Sequence, residues 1–67
     1  MEPLEHTRRA RRMTRRQLAD LAGVSRQMVY QYERRGAVPA LAVARRLAEV
    51  LGVSVDRLWP PDGGDRD

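Results

Sequence analysis

The chain has 67 residues, enough for one small domain, and it contains no cysteine, which excludes disulfides and thiolate metal sites. The net charge is +4, and all 13 basic residues are arginine. Residues 1–35 contain nine arginines and four acids, whereas residues 36–67 contain four arginines and five acids. The basic half indicates a polyanion as partner, and the alternative is a solvated helical surface.

Several other classes of protein are disfavoured by the composition. The longest apolar stretch, PALAVA at 39–44, is too short to span a membrane, and the first residues are charged where a signal peptide is apolar. We therefore expect a soluble, cytoplasmic protein with no membrane partner. The single histidine, His6, has no second ligand nearby, and no nucleophile–base pair is present, so we expect no enzyme, cofactor, metal or small-molecule effector site.

The first predicted helix covers about Pro3–Arg12, because proline is favoured in a first helical turn. Its inward stripe is poor in apolar residues and consists of Leu4, Thr7, Arg8 and Arg11. An arginine on an inward face requires a partner, since a buried unpaired charge is very unfavourable.

Two short helices follow with a glycine between them. Thr14 and Gln17 have the spacing of a capping box, which predicts a second helix over Arg15–Ala22. Gly23 lies just past its end, where a left-handed residue is favoured. Ser25 is a good N-cap for a third helix over Arg26–Arg35.

The remaining elements are also helical. A loop over residues 36–39 precedes a fourth helix, Ala40–Leu51, which Gly52 ends. Its expected inward residues are Ala40, Val43, Ala44, Leu47, Val50 and Leu51. Ser54 caps a fifth helix, Val55–Trp59, and two prolines follow. The sequence predicts an all-α domain of five short helices at 1–59 and a polar, disordered tail at 60–67.

The third helix has two faces of different chemistry. With about 100° per residue, Tyr32 and Glu33 share the inward side with Val29. The other positions bear no acid; they are Gln27, Gln31 and Arg34, with Met28, Tyr30 and Arg35 on the flanks and Arg26 in the first turn. Arginine and glutamine are side chains that bind guanine and adenine edges in a major groove, so this face is predicted to bind DNA.

A tight corner between helices 2 and 3 needs a small residue, a turn glycine and a β-branched residue, and Ala19, Gly23 and Val29 provide them. Here the stretch TRRQLADLAGVSRQMVYQYERRGAVPALAVARRLAEVLGVSVDRLW resembles the Cro and lambda-repressor-like, or Xre-type, helix-turn-helix regulators. The resemblance covers residues 4–59. It implies a compact helical bundle that binds DNA, usually as a dimer, with Ser25–Arg34 as the recognition helix.

By position, the resemblance assigns base contacts to Arg26, Gln27, Tyr30 and Gln31. The sequence departs from the family pattern at Thr7, where leucine is usual, at Arg15, where glutamine is usual, and at Ala40, where a serine cap is frequent. The glycine after helix 3 also falls one residue late, in ERRG.

Further contacts are expected around this helix. The predicted phosphate contacts are Thr14, Arg15, Arg16, Ser25, Arg34 and Arg35. Arg8 and Glu33 are both expected on inward faces and are predicted to form an ion pair, in agreement with family position.

A homodimer on an inverted repeat is expected, because one helix reads too few base pairs for discrimination. Its candidate interface residues are Leu41, Val50, Val53, Val55, Leu58 and Trp59, and Trp59 could instead fill the core.

The leading hypothesis is a sequence-specific regulator of transcription that binds double-stranded DNA. The alternative is a helical protein-interaction or antitoxin-like module whose basic face binds an acidic partner. A non-specific architectural DNA binder would be basic on all sides, and the acidic second half argues against it. Duplex affinity with a steep salt dependence separates the first hypothesis from the alternative.

Overall fold

The structure is a computed structural model that describes residues 3–61, and this part of the chain folds into five helices without a strand. The helices are α1 (Pro3–Ala10), α2 (Arg15–Ala22), α3 (Arg26–Arg34), α4 (Leu41–Leu51) and α5 (Val55–Leu58). The all-α prediction is confirmed. Of the predicted tail, Pro60 and Pro61 are exposed and irregular, whereas residues 62–67 lie outside the described residues, as do residues 1 and 2.

Four predicted helix boundaries need correction. Helix α1 ends at Ala10, two residues before the predicted end, and α3 and α5 each end one residue early, at Arg34 and Leu58. Helix α4 begins at Leu41 because Ala40 has extended backbone angles, with φ −60° and ψ 156°, and acts as the N-cap. Alanine has no side-chain acceptor for the free N–H groups of the first turn, so this cap is unsupported.

Helix α1 is closed by a Schellman motif. Met13 N–H donates to the Arg8 carbonyl at 3.2 Å, and Arg12 N–H donates to the Arg9 carbonyl at 2.9 Å. This geometry puts Arg12 in the left-handed region, with φ 59°. Glycine is usual at this position, because a residue with a Cβ atom loses roughly 1–2 kcal/mol there.

The corner between α2 and α3 has the predicted geometry. Gln17 N–H donates to Thr14 Oγ1 at 3.0 Å and Thr14 N–H donates to Gln17 Oε1 at 2.8 Å, which confirms the capping box. Gly23 has φ 73°, and its N–H donates to the Ala19 carbonyl. Ser25 Oγ then accepts the Met28 N–H at 3.0 Å and starts α3. Because both ends of the corner are capped, α2 and α3 hold a fixed relative orientation.

A small apolar core joins all five helices, and its buried residues are Leu4, Leu18, Ala19, Ala22, Val29, Tyr32, Ala44, Leu47, Ala48, Leu51 and Leu58. Trp59 is partly buried, and its ring packs edge-on against Tyr32 with the ring centroids 6.4 Å apart. Two residues expected on inward faces, Arg11 and Ala40, are exposed instead. Arg11 lies beyond the end of α1 and Ala40 lies before the start of α4, so helical periodicity does not extend to either.

Helix α4 also supports the corner through a polar contact. Arg46 Nε donates to the Ala22 carbonyl at 2.9 Å, at the C-terminal end of α2. A cationic donor at this end satisfies a carbonyl that lacks a helical partner and complements the helix dipole. Helix α4 therefore holds the C-terminal end of α2 in place through this hydrogen bond.

Candidate nucleic-acid interface

A buried ion pair fixes α3 to α1. Arg8 Nε lies 2.6 Å from Glu33 Oε2, and Arg8 Nη2 donates to Glu33 Oε1 at 3.1 Å. Arg8 Nη1 also donates to the Met13 carbonyl at 2.7 Å, in the turn that leads to α2. Both side chains are almost fully buried, and every buried side-chain polar atom in residues 3–61 has a hydrogen-bond partner. Arg8 therefore connects α1, the turn before α2 and α3.

Glu33 binds a second arginine. Arg15 Nε, from the first turn of α2, donates to Glu33 Oε1 at 2.8 Å. Glu5 on α1 adds a further carboxylate, which lies 3.0 Å from Arg9, 3.2 Å from Arg34 and 3.9 Å from Arg15. Two acids and four arginines thus form one network across α1, α2 and α3, and the recognition-helix candidate is held by charge as well as by apolar packing.

Arg15 also contacts the exposed face of α3. Its guanidinium carbon lies 5.2 Å from the centroid of the Tyr30 ring, within cation–π range. Because Glu33 holds the same guanidinium from the buried side, Arg15 limits the orientations available to Tyr30. The side chain of Arg15 is 29% exposed, less than that of a freely solvated arginine.

An open concavity lies between α1, the start of α2 and the start of α3. It is lined by Arg8, Arg9, Arg12, Met13, Thr14, Arg15, Arg16, Arg26, Gln27 and Tyr30. Six of these ten residues are arginine and none is acidic, so the lining of the concavity is positively charged. It brings together three of the four predicted base-contacting residues and three of the six predicted phosphate-contacting residues.

The six lining arginines are of two kinds. Arg8, Arg9 and Arg15 have carboxylate partners within 4.0 Å. The other three, Arg12, Arg16 and Arg26, are exposed and have no ion-pair partner among residues 3–61. Within the part of the chain that the structure describes, these three guanidinium groups are therefore available to bind an anion.

The remaining predicted contacts lie outside this concavity. Gln31 is half-buried, in contrast to the exposed Gln27 one helical turn earlier. Ser25 is exposed and caps α3, so its oxygen already accepts one hydrogen bond. Arg34 and Arg35 are both exposed at the C-terminal end of α3. Arg34 forms an ion pair with Glu5, whereas Arg35 has no ion pair among residues 3–61.

Sequence reasoning missed four residues of this region: Glu5, Arg9, Arg12 and Met13. The spacing of Glu5 and Arg9, four residues apart on one helix, could have indicated their ion pair. Arg12 and Met13 were harder to find, because their place follows from the early end of α1, and no glycine marks that end.

The candidate dimer residues have different surroundings. Leu58 is 1% exposed in the isolated chain, so its assignment to a dimer surface is wrong; the short α5 packs its one fully buried side chain against the core. Val50, Val53, Val55 and Trp59 are partly buried against the same core. Leu41 is 58% exposed and remains available to a partner.

Comparison with known families agrees with this architecture. Residues 4–58 match the family model described as Helix-turn-helix (HTH_3), and this match includes all of α2 and α3. No curated protein shows significant similarity to the chain. No helix within residues 3–61 has the length and apolar character needed to cross a bilayer.

Proposed function

The chain belongs to the helix-turn-helix family of DNA-binding regulators, of the Cro and Xre-like type, and from this premise we propose that it is a sequence-specific regulator of transcription that binds double-stranded DNA. The observation that carries this proposal is the concavity at the start of α2 and α3. It combines three arginines that have no ion pair among residues 3–61 with Gln27 and Tyr30, and none of its lining residues is acidic.

Helix α3 is the proposed recognition helix. Its first residues, Arg26 and Gln27, are exposed and line the concavity, as expected for a helix that enters a major groove with its N-terminal end. Arg26 is proposed to bind guanine O6 and N7, and Gln27 to bind adenine N6 and N7. Tyr30 lies one turn later and can contact a thymine methyl. Gln31 is the weakest member of the proposed base-reading set, because it is partly buried whereas the other three members are exposed.

Phosphate contacts are proposed for the residues that flank this helix. Arg16, Arg35, Thr14 and Ser25 are exposed and carry a charge or a hydroxyl donor. Arg15 and Arg34 belong to the same set, but each shares its guanidinium with a carboxylate of the network. Their contribution to binding a phosphate is therefore partly offset by the loss of those ion pairs.

We propose a homodimer as the DNA-bound form. Two recognition helices related by a two-fold axis would lie about 34 Å apart and would read an inverted repeat. The proposed contact region consists of exposed and half-buried apolar residues in α4, in α5 and directly beside α5, including Leu41, Val53, Val55 and Trp59. The domain without a partner would read too few base pairs for selective binding in a genome.

Selection of binding sites from random duplexes tests this proposal. A recovered motif with two-fold symmetry, together with affinity that falls steeply with salt, is the expected result. The two proposed phosphate-contacting arginines that have no ion pair among residues 3–61, Arg16 and Arg35, predict a slope of at least about −2 per bound chain in log affinity against log salt concentration. Failure to bind any duplex at about 0.05 M salt, a concentration at which phosphate contacts are strong, would contradict the proposal and favour the protein-interaction alternative.

A further inference from the structure

Arg12 has an unusual backbone for an arginine. It is the one non-glycine residue with positive φ among residues 3–61, with φ 59°. The other three residues with positive φ in this part of the chain are glycines, and they lie just beyond α2, α3 and α4. Arg12 holds the equivalent position after α1, where glycine would relieve the strain. The turn itself therefore favours glycine and gives no reason for an arginine side chain at this position.

The Arg12 side chain also makes no polar contact with the described residues that would stabilise the fold. The side chain is exposed and has no hydrogen bond or ion pair among residues 3–61. It borders a second concavity with Asp20, but the two side chains form no ion pair within 4.0 Å. It also lines the first concavity beside Thr14 and Arg16, where every charged lining residue is an arginine. Like charges grouped in this way repel one another in the free protein, and an anion bound between them removes the repulsion.

We infer that Arg12 is a DNA-backbone contact of this interface, a residue that binds phosphate without reading sequence. This inference rests on the proposed function and extends the site to the turn between α1 and α2. The backbone strain at Arg12 is then retained because it presents a guanidinium at the edge of the concavity, where glycine would leave no charge. Strain of this kind is common where a binding site needs a particular side chain.

The variant Arg12→Gly separates function from folding. Glycine adopts the left-handed conformation freely, so the melting temperature should equal or exceed that of the wild type. Per bound chain, affinity for the selected duplex should fall on the order of fivefold at about 0.15 M salt, and the salt slope should become shallower by about 0.9. The loss should be the same on non-specific duplexes, because phosphate contacts carry no sequence information.

Two further variants serve as controls. Arg12→Lys keeps the charge and should retain most of the affinity. Arg45→Gln removes one positive charge from an exposed position of α4 that does not line the concavity, and it should leave the affinity within twofold of the wild type.

The possible outcomes are distinct. If wild-type protein binds duplex DNA and Arg12→Gly binds equally well with the same slope, the inference is overturned and the proposed function stands. If Arg12→Gly and Arg45→Gln lose affinity equally, net charge accounts for the loss and the inference is again overturned. If the wild type binds no duplex, the proposed function fails and the inference fails with it.

Discussion

Arg8 and Glu33 join the first and third helices through two hydrogen bonds of 2.6 and 3.1 Å, in a position where both side chains are buried. Glu33 is buried, whereas Arg26, Gln27 and Tyr30 of the same helix are exposed. The ion pair therefore fixes the orientation of α3 relative to α1. This orientation determines the direction in which Arg26 and Gln27 project.

Replacement of Glu33 with alanine should lower the free energy of unfolding by about 3 kcal/mol, because the buried charge of Arg8 would then have no carboxylate partner and only the Met13 carbonyl as acceptor. Chemical denaturation followed by circular dichroism measures this difference. Glu49→Ala is the matched control, since Glu49 is exposed, and it should change the stability by less than about 0.5 kcal/mol. Equal stabilities of the two variants would mean that the buried pair does not hold α3.

Helical periodicity was sufficient to identify Arg8 and Glu33 as partners, because each lies on the inward side of a regular helix. The same method did not find Arg15 as the second partner of Glu33, since Arg15 occupies the first turn of α2 and reaches α3 only through the tertiary arrangement. The expected dimer surface was wrong at Leu58, because the number of apolar residues in this region does not show which of them the core accommodates, and the four-residue α5 buries this side chain.

Helix ends were predictable where the residue type matches the backbone requirement. Gly23 and Gly52 lie at left-handed positions just beyond α2 and α4, as the sequence indicated. The end of α1 was missed because Arg12 takes the left-handed conformation against its own preference. A local rule fails here at a residue that lines the candidate site, which is where such conflicts are expected.

The unsupported start of α4 can be improved by a single substitution. Ala40 has the extended backbone of an N-cap but accepts no hydrogen bond with its side chain. Ala40→Ser should raise the free energy of unfolding by about 1 kcal/mol, because the hydroxyl oxygen can accept an N–H of the first turn. Ala42→Ser, inside the helix, is the control and should not stabilise the protein. A melting temperature of Ala40→Ser below that of the wild type would contradict the assignment of the cap.

Adjacent arginines at the start of α2 should respond differently to replacement. Arg16 is exposed and has no ion pair among residues 3–61, so Arg16→Ala should flatten the salt slope of duplex binding by about 0.9 per bound chain with little change in stability. Arg15 binds Glu33 and stacks on Tyr30, so Arg15→Ala should reduce stability by about 1.5 kcal/mol, the loss of one charged hydrogen bond.

The slope change for Arg15→Ala should be about half of that for Arg16→Ala or less, because two carboxylates already compete for its guanidinium. Titrations of both variants at four salt concentrations, alongside denaturation curves, give the comparison. Identical slopes combined with unchanged stability for Arg15→Ala would show that its ion pairs contribute nothing to the fold.

The stoichiometry of the DNA complex tests the proposed dimer. Sedimentation of the protein with its selected duplex should give two chains per site, whereas the free protein need not be dimeric if pairing is completed on DNA. Shortening the spacer between half-sites by about five base pairs, half a helical turn, should abolish cooperative binding because the second recognition helix would face the opposite side of the duplex. One chain per site on a symmetric motif would overturn the dimer.

Arg26 is the first residue of the proposed recognition helix. It is exposed, lines the concavity next to Gln27 and has no carboxylate partner among residues 3–61. Two functions are possible for such an arginine: it can bind a guanine edge through two hydrogen bonds, or it can hold a phosphate. Only the first function makes binding depend on the base at one position.

Arg26→Ala should therefore reduce affinity by about 1–3 kcal/mol per half-site and relax the preference at a single base position, while the rest of the motif is retained. Site selection with the variant and the wild type in parallel measures both effects. Arg35→Ala provides the matched control: as a proposed phosphate contact, it should weaken binding to all sequences alike and leave the motif unchanged. If Arg26→Ala also recovers the wild-type motif at every position with uniformly lower affinity, Arg26 holds a phosphate, and the bases are read by residues further along α3.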